Sequence, residues 1–217
     1  MNKLEKLISN ELRNSFYTLK IEPKNQENII NYLKRIGTKD INILKHSFRV
    51  GKLGIKISNL LDINPNKLFY SGLLHDIGKT KIDKNIIKRS NKYKTFTKED
   101  MQIMKMHPLY SYEILKNEYN YSALLSLWHH EHQKDEYPPK ENFPIEAQNL
   151  PIYKQKEIEE ISKFLSVADC YDAAKNRNNG RFWNRKSTSQ EVERIMFEER
   201  EHSEKLIENL YRNGIFK

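Results

Sequence analysis

A chain of 217 residues carrying a net charge of +9, 31% charged residues and a mean hydropathy of -0.83 has a polar surface and room for one well-buried domain. Its 37% hydrophobic residues suffice for one core, its single cysteine, Cys170, excludes a disulfide framework or a cysteine-based zinc finger, and no run of about 18 apolar residues is present to span a membrane. The lysines are scattered rather than clustered, which points away from a dedicated nucleic-acid surface, and the opening MNKLEKLISNELRNSF lacks an apolar stretch of signal-peptide length, so a cytoplasmic protein is expected. With only 7 Gly and 7 Pro amid abundant Leu, Ile, Lys and Glu, the fold class expected is all-α.

Residues 1–37 read as short helices. Leu4, Leu7, Ile8 and Leu12 share a face, Pro23 interrupts, and a second piece covers Ile29 to Ile36. A helix from about Ile41 to Leu61 carries His46, with Leu44, Phe48 and Ile55 inward. Asn64 followed by Pro65 marks the next helix start, an N-cap side chain before a proline whose missing N–H costs nothing in the first turn. That helix runs to Leu73-Leu74-His75-Asp76-Ile77-Gly78-Lys79, where Gly78 is expected to act as the stop. Asp83 to Thr95 reads as a loop with a short helix, and Thr97 with Asp100 forms a capping box opening a helix that contains His107. A helix from Tyr121 to about His132 ends in Trp128-His129-His130-Glu131-His132. The proline-containing stretch Glu136 to Pro151 is irregular and placed to lie over a site. Lys154 to Lys175 is helical around Ala168-Asp169-Cys170-Tyr171-Asp172, and Ser187 to Tyr211 is a last helical region with a break near His202.

Five of the seven histidines fall into an ordered pattern with two aspartates: His46, His75-Asp76, His107, His129-His130, then Asp169. Imidazole and carboxylate together suit iron, manganese or zinc. So many candidate ligands over-supply one ion, and two ions with a carboxylate such as Asp76 between them is the natural solution. Adjacent residues on a helix diverge by about 100°, so each pair can reach two ions near a helix end. His132 and His202 stand outside the pattern.

These segments resemble the HD superfamily of metal-dependent phosphohydrolases, whose central motif is similar to Leu74-His75-Asp76-Ile77-Gly78-Lys79. Met106-His107, Trp128-His129-His130-Glu131 and Val167-Ala168-Asp169-Cys170-Tyr171-Asp172-Ala173 are similar to the HD-GYP branch, and the resemblance runs from about Ile41 to Phe216. It implies an HD-domain helical bundle over residues 38–217, with residues 1–37 as an N-terminal helical cap. It also implies a dinuclear centre, of iron or manganese, that hydrolyses cyclic di-GMP or a related cyclic dinucleotide. Carried over position by position, His46, His75, Asp76, His107, His129, His130 and Asp169 are implied ligands, with Asp76 the bridge that helps hold the nucleophile. Lys79 and Arg181 are implied phosphate contacts, with Arg49 as a further substrate contact.

The chain departs from the family in three places. His129-His130-Glu131-His132-Gln133-Lys134-Asp135-Glu136-Tyr137-Pro138 keeps only the last two residues of the GYP triplet and neither glycine of its segment. Asn42 stands where some members place a third-metal glutamate, so two ions are expected. Asn178-Asn179-Gly180-Arg181, with Arg177 displaced by one, alters the branch's basic segment. These changes leave two alternatives beside the cyclic dinucleotide: another nucleotide as substrate, or an inactive signalling module.

Overall fold

The computed structural model describes residues 2–90, 95–176, 186–200 and 202–217, and among them the regular structure is helical throughout. The chain opens with α1 (Lys3–Thr18) and α2 (Pro23–Lys39), followed by α3 (Ile41–Leu60) and α4 (Pro65–Leu74). A 3-10 turn over Ile77–Lys81 leads into the short helices α5 (Lys84–Ser90) and α6 (Lys98–Met104). After these come α7 (His107–Leu115), α8 (Asn120–Trp128), a single turn α9 (Ile145–Gln148), the long α10 (Ile152–Asn176), α11 (Ser189–Glu199) and α12 (Glu204–Arg212).

Local chemistry sets several starts. The Asp40 carboxylate accepts from the backbone N–H of Asn42 at 2.6 Å to begin α3, and Asn64 accepts from Asn66 N–H at 3.0 Å to begin α4 behind Pro65. Thr97 and Asp100 cap each other reciprocally at the start of α6. Pro23 opens α2, so the interruption expected at it falls between α1 and α2.

The core is built on α3, α4, α8 and α10. Every residue from Leu165 to Asp172 of α10 is buried, as are Ser71–Gly78 and Ser122–His130, which marks these stretches as central rather than surface amphipathic helices. Glycines bring α3 against α4: a Cβ on Gly72 would lie 2.7 Å from the Gly51 nitrogen, and one on Gly54 would lie 2.7 Å from the Leu68 carbonyl oxygen. Ile8, Leu12 and Phe16 of α1 and Ile29, Leu33 and Ile36 of α2 join this same core, while Ile82, Ile86 and Ile87 form a small satellite beneath α5 and α6.

Gly78 does not stop a helix. Helix α4 ends at Leu74, and Gly78 sits inside the following 3-10 turn, where a Cβ would lie 2.0 Å from the His107 carbonyl oxygen and 2.6 Å from the Ser111 nitrogen. The residue is small because α7 lies against it. Likewise α8 ends at Trp128, leaving His129 and His130 on the turn beyond it.

Candidate metal centre

Helix ends and two long helices bring the seven residues together. His46 comes from α3, His75 and Asp76 from the turn after α4, His107 from the start of α7, His129 and His130 from the turn after α8, and Asp169 from α10. All are buried. Each imidazole is oriented by a hydrogen bond at Nδ1. His75 donates to the Gly72 carbonyl at 3.0 Å, His107 to Met104 at 2.8 Å and His129 to Ser126 at 2.6 Å, in each case the carbonyl three residues earlier near a helix C-terminus. Such carbonyls have no partner within their own helix, so a ring following the helix end satisfies them and is fixed in return. His130 Nδ1 pairs with Gln133 Oε1 at 2.9 Å, and His46 Nδ1 with Asp172 Oδ2 at 2.7 Å.

With Nδ1 so engaged, the Nε2 atoms are left facing inward, and the five converge. His46 Nε2 lies 2.9 Å from Asp169 Oδ1 and 3.8 Å from Asp76 Oδ2. His75 Nε2 lies 3.6 Å from Asp76 Oδ2 and 3.8 Å from Asp169 Oδ1. On the other side, His107 Nε2 lies 3.3 Å from Asp76 Oδ1 and 3.2 Å from His130 Nε2. Ligand atoms sharing one cation at bonds of about 2.1 Å sit about 3 to 3.5 Å apart. Asp76 therefore turns one oxygen to the His46–His75–Asp169 group and the other to the His107 group. His75 Nε2, His129 Nε2 and Asp76 Oδ1 are buried without a hydrogen-bond partner, a costly condition that a coordinated cation removes.

The electrostatics agree. Burial drives His107 down to about 3, reinforced by the Lys79 ammonium, and it holds His129 and His130 well below the usual histidine range, so these rings are neutral at physiological pH. Two neutral rings anchored at Nδ1 would then oppose lone pairs across 3.2 Å at His107 and His130. Burial pushes the Asp76 carboxyl upward, but the Lys79 ammonium beside it outweighs this and holds it well below the usual carboxylate range. The donor set suits divalent metal.

Lys79 reaches back from the 3-10 turn to place Nζ 2.6 Å from Asp76 Oδ2. Arg49, one turn after His46, is bidentate on Asp172, with Nε to Oδ1 at 2.6 Å and Nη2 to Oδ2 at 2.8 Å. Asp172 was not singled out by sequence; its signal was a second carboxylate three residues after Asp169, on the same helix face. Ser111 was also missed: its hydroxyl accepts from Gly78 N–H at 2.9 Å and donates to the His75 carbonyl at 2.5 Å, tying α7 to the His75–Asp76 turn. The Tyr137 ring stacks on His130, centroids 4.2 Å apart and 26° from parallel, so this residue near the start of the proline-containing stretch lies against the cluster. His132 bonds Ser162 at 2.9 Å away from the cluster, His202 is exposed, and Asn42 is exposed at the start of α3. Arg177 and Arg181 lie outside the described residues.

The family model described as "HD domain" matches residues 43–174. Among solved structures, the fold is similar to the HD domain of the L. monocytogenes phosphodiesterase PgpH, with a TM-score of 0.50 and 17% identity over 85% of this chain and 86% of that one. No curated protein sequence matches.

Proposed function

The chain belongs to the HD domain family, and from that premise we propose that it is a metal-dependent phosphodiesterase hydrolysing cyclic di-GMP or a related cyclic dinucleotide at a dinuclear iron or manganese centre. The observation that carries this reading is the convergence of five imidazole Nε2 atoms and two carboxylates, with Nδ1 engaged in all five rings and Asp76 offering one oxygen to each side. The similar solved domain is named a phosphodiesterase.

Divalent cations held there supply Lewis-acid stabilisation of phosphoryl charge and lower the pKa of an attacking water. The chain's own groups do the rest. His46, His75, Asp76 and Asp169 would hold one cation, and His107, His129 and His130 with the other oxygen of Asp76 would hold the second, His129 standing between the two groups within reach of His75 and Asp169 as well. The Lys79 ammonium sits at the centre's edge on Asp76 Oδ2, from where it would reach a phosphate oxygen and offset charge developing in the transition state. Arg181 is the proposed second phosphate contact. The net charge of +9 attracts an anionic dinucleotide from a distance.

A second reading, another nucleotide at the same centre, is favoured by Tyr137, which covers one face of His130 from a segment lacking the branch's glycines. Protein purified without oxygen, loaded with iron or manganese, is incubated with cyclic di-GMP and a panel of other nucleotides, and products are resolved by chromatography beside Asp76→Ala. Linear dinucleotide or GMP that vanishes in the variant supports the leading reading. Turnover confined to another nucleotide moves the assignment to the second, and fully metallated protein that turns over nothing contradicts both.

A further inference from the structure

The five histidines are not supported alike. Four donate from Nδ1 to neutral acceptors, the carbonyls of Gly72, Met104 and Ser126 and the side-chain amide oxygen of Gln133. Only His46 donates to a carboxylate, that of Asp172. Asp172 is buried and fully committed: Oδ2 accepts from His46 and from Arg49 Nη2, while Oδ1 accepts from Arg49 Nε at 2.6 Å and from Asn176 Nδ2 at 2.9 Å. It therefore has no spare donor atom for a cation, and its place behind the ring defines what it does.

Resting on the two-cation reading above, we propose that Asp172 is a positioning residue which, clamped by Arg49, makes the His46–His75–Asp169 subsite the tighter of two unequal metal subsites. The pattern is reciprocal along two helices: α3 supplies a ligand and, three residues on, the clamp (His46, Arg49), while α10 supplies a ligand and, three residues on, the support (Asp169, Asp172). A carboxylate accepting the Nδ1 proton fixes the tautomer and raises the basicity of Nε2. The same subsite also holds the second ligand carboxylate, Asp169, whereas the His107–His129–His130 subsite has neutral rings supported by neutral acceptors. Arg49, expected from sequence to contact substrate, acts in this account through Asp172.

Metal-free protein is titrated with Mn2+ while free ion is followed by EPR, a readout independent of turnover. Wild type is expected to show two classes of site, the weaker removed by His130→Ala. In the His130→Ala background, Asp172→Asn should weaken the remaining site by about 10- to 100-fold, and Arg49→Ala should act in the same direction with partial rescue by Arg49→Lys. In the His46→Ala background Asp172→Asn should change affinity less than about twofold, since its route of action is gone. Equal weakening in both backgrounds, or in neither, overturns the proposal. Circular dichroism and urea unfolding check that each variant folds, and Arg49→Ala carries the test if Asp172→Asn does not. Wild type that binds no Mn2+ overturns the metal centre itself, whereas two classes indifferent to Asp172 overturn this inference alone.

Discussion

Replacing Gly78 by alanine would place a methyl 2.0 Å from the His107 carbonyl oxygen, 2.6 Å from the Ser111 nitrogen and 2.8 Å from Ser111 Oγ. Carbon and oxygen are comfortable only at about 3.3 Å or more, so α7 must retreat by roughly 1 Å or the 3-10 turn must distort. The obstructing atoms are mostly backbone, and no rotamer change relieves them. Retreat also strains the two buried hydrogen bonds of the Ser111 hydroxyl, one accepted from Gly78 N–H and one donated to the His75 carbonyl. Overpacking of about 1 to 3 kcal/mol and about 1 kcal/mol for each weakened hydrogen bond give a loss of roughly 3 to 5 kcal/mol. Urea unfolding of metal-free protein reads this as a lower midpoint at unchanged slope, and for a domain of this size the Tm should fall by roughly 6 to 20 °C. Gly37→Ala is the control: its Cβ meets only the side-chain ends of Leu4 and Leu44, which can turn aside, and alanine favours the interior of α2, so it should cost less than about 1 kcal/mol. A Gly78→Ala loss below about 1 kcal/mol, or equal to that of Gly37→Ala, refutes the close approach of α7 to the His75–Asp76 turn.

Three further outcomes are expected. Because His107 is depressed to about 3 and His129 and His130 well below their usual range, the unfolded chain binds protons more readily near pH 6. Stability of the metal-free protein should therefore be fully present above about pH 6.5 and fall on acidification toward pH 4; a urea midpoint constant across that window contradicts neutral buried rings. Phe216, buried and stacked on Tyr171 at 3.9 Å with 7° between the rings, fastens the C-terminal residues to α10 between Asp169 and Asp172, and Phe216→Ala should cost about 3 to 5 kcal/mol in urea unfolding. Loss below about 1 kcal/mol would mean that segment does not pack there in solution. Tyr137→Ala removes the ring stacked on His130 and should weaken Mn2+ binding a few-fold at the His107–His129–His130 subsite alone, an effect absent if Tyr137 only covers the loop.

The sequence was legible where chemistry is local. Asn64 before Pro65 and Thr97 with Asp100 mark helix starts because capping needs only residues within one turn. Five histidines and two aspartates stood out because residue type and order are visible without a fold, and the structure brings all seven into one buried cluster. What stayed hidden depends on contacts between distant segments. Nothing in the spacing of Asp169 and Asp172 says that one faces the cluster and the other the back of His46; the packing of α3 against α10 decides it. Arg49 reads as a free cation until that packing hands it Asp172. Gly78 reads as a turn residue because glycine often is one, while its requirement here is space beneath α7, more than 25 residues away in sequence. The ends of α4 and α8 were drawn too late because His75 and His129 continue the local pattern, yet each ring turns back to a carbonyl three residues earlier and sits beyond the helix.

Manganese stoichiometry with EPR on the loaded protein tests the proposed two-cation centre most directly. Two Mn2+ per chain with the signal of an exchange-coupled pair are expected, both coupling and the second ion being lost in Asp76→Ala. One ion per chain, or two that behave as isolated Mn2+, would contradict it.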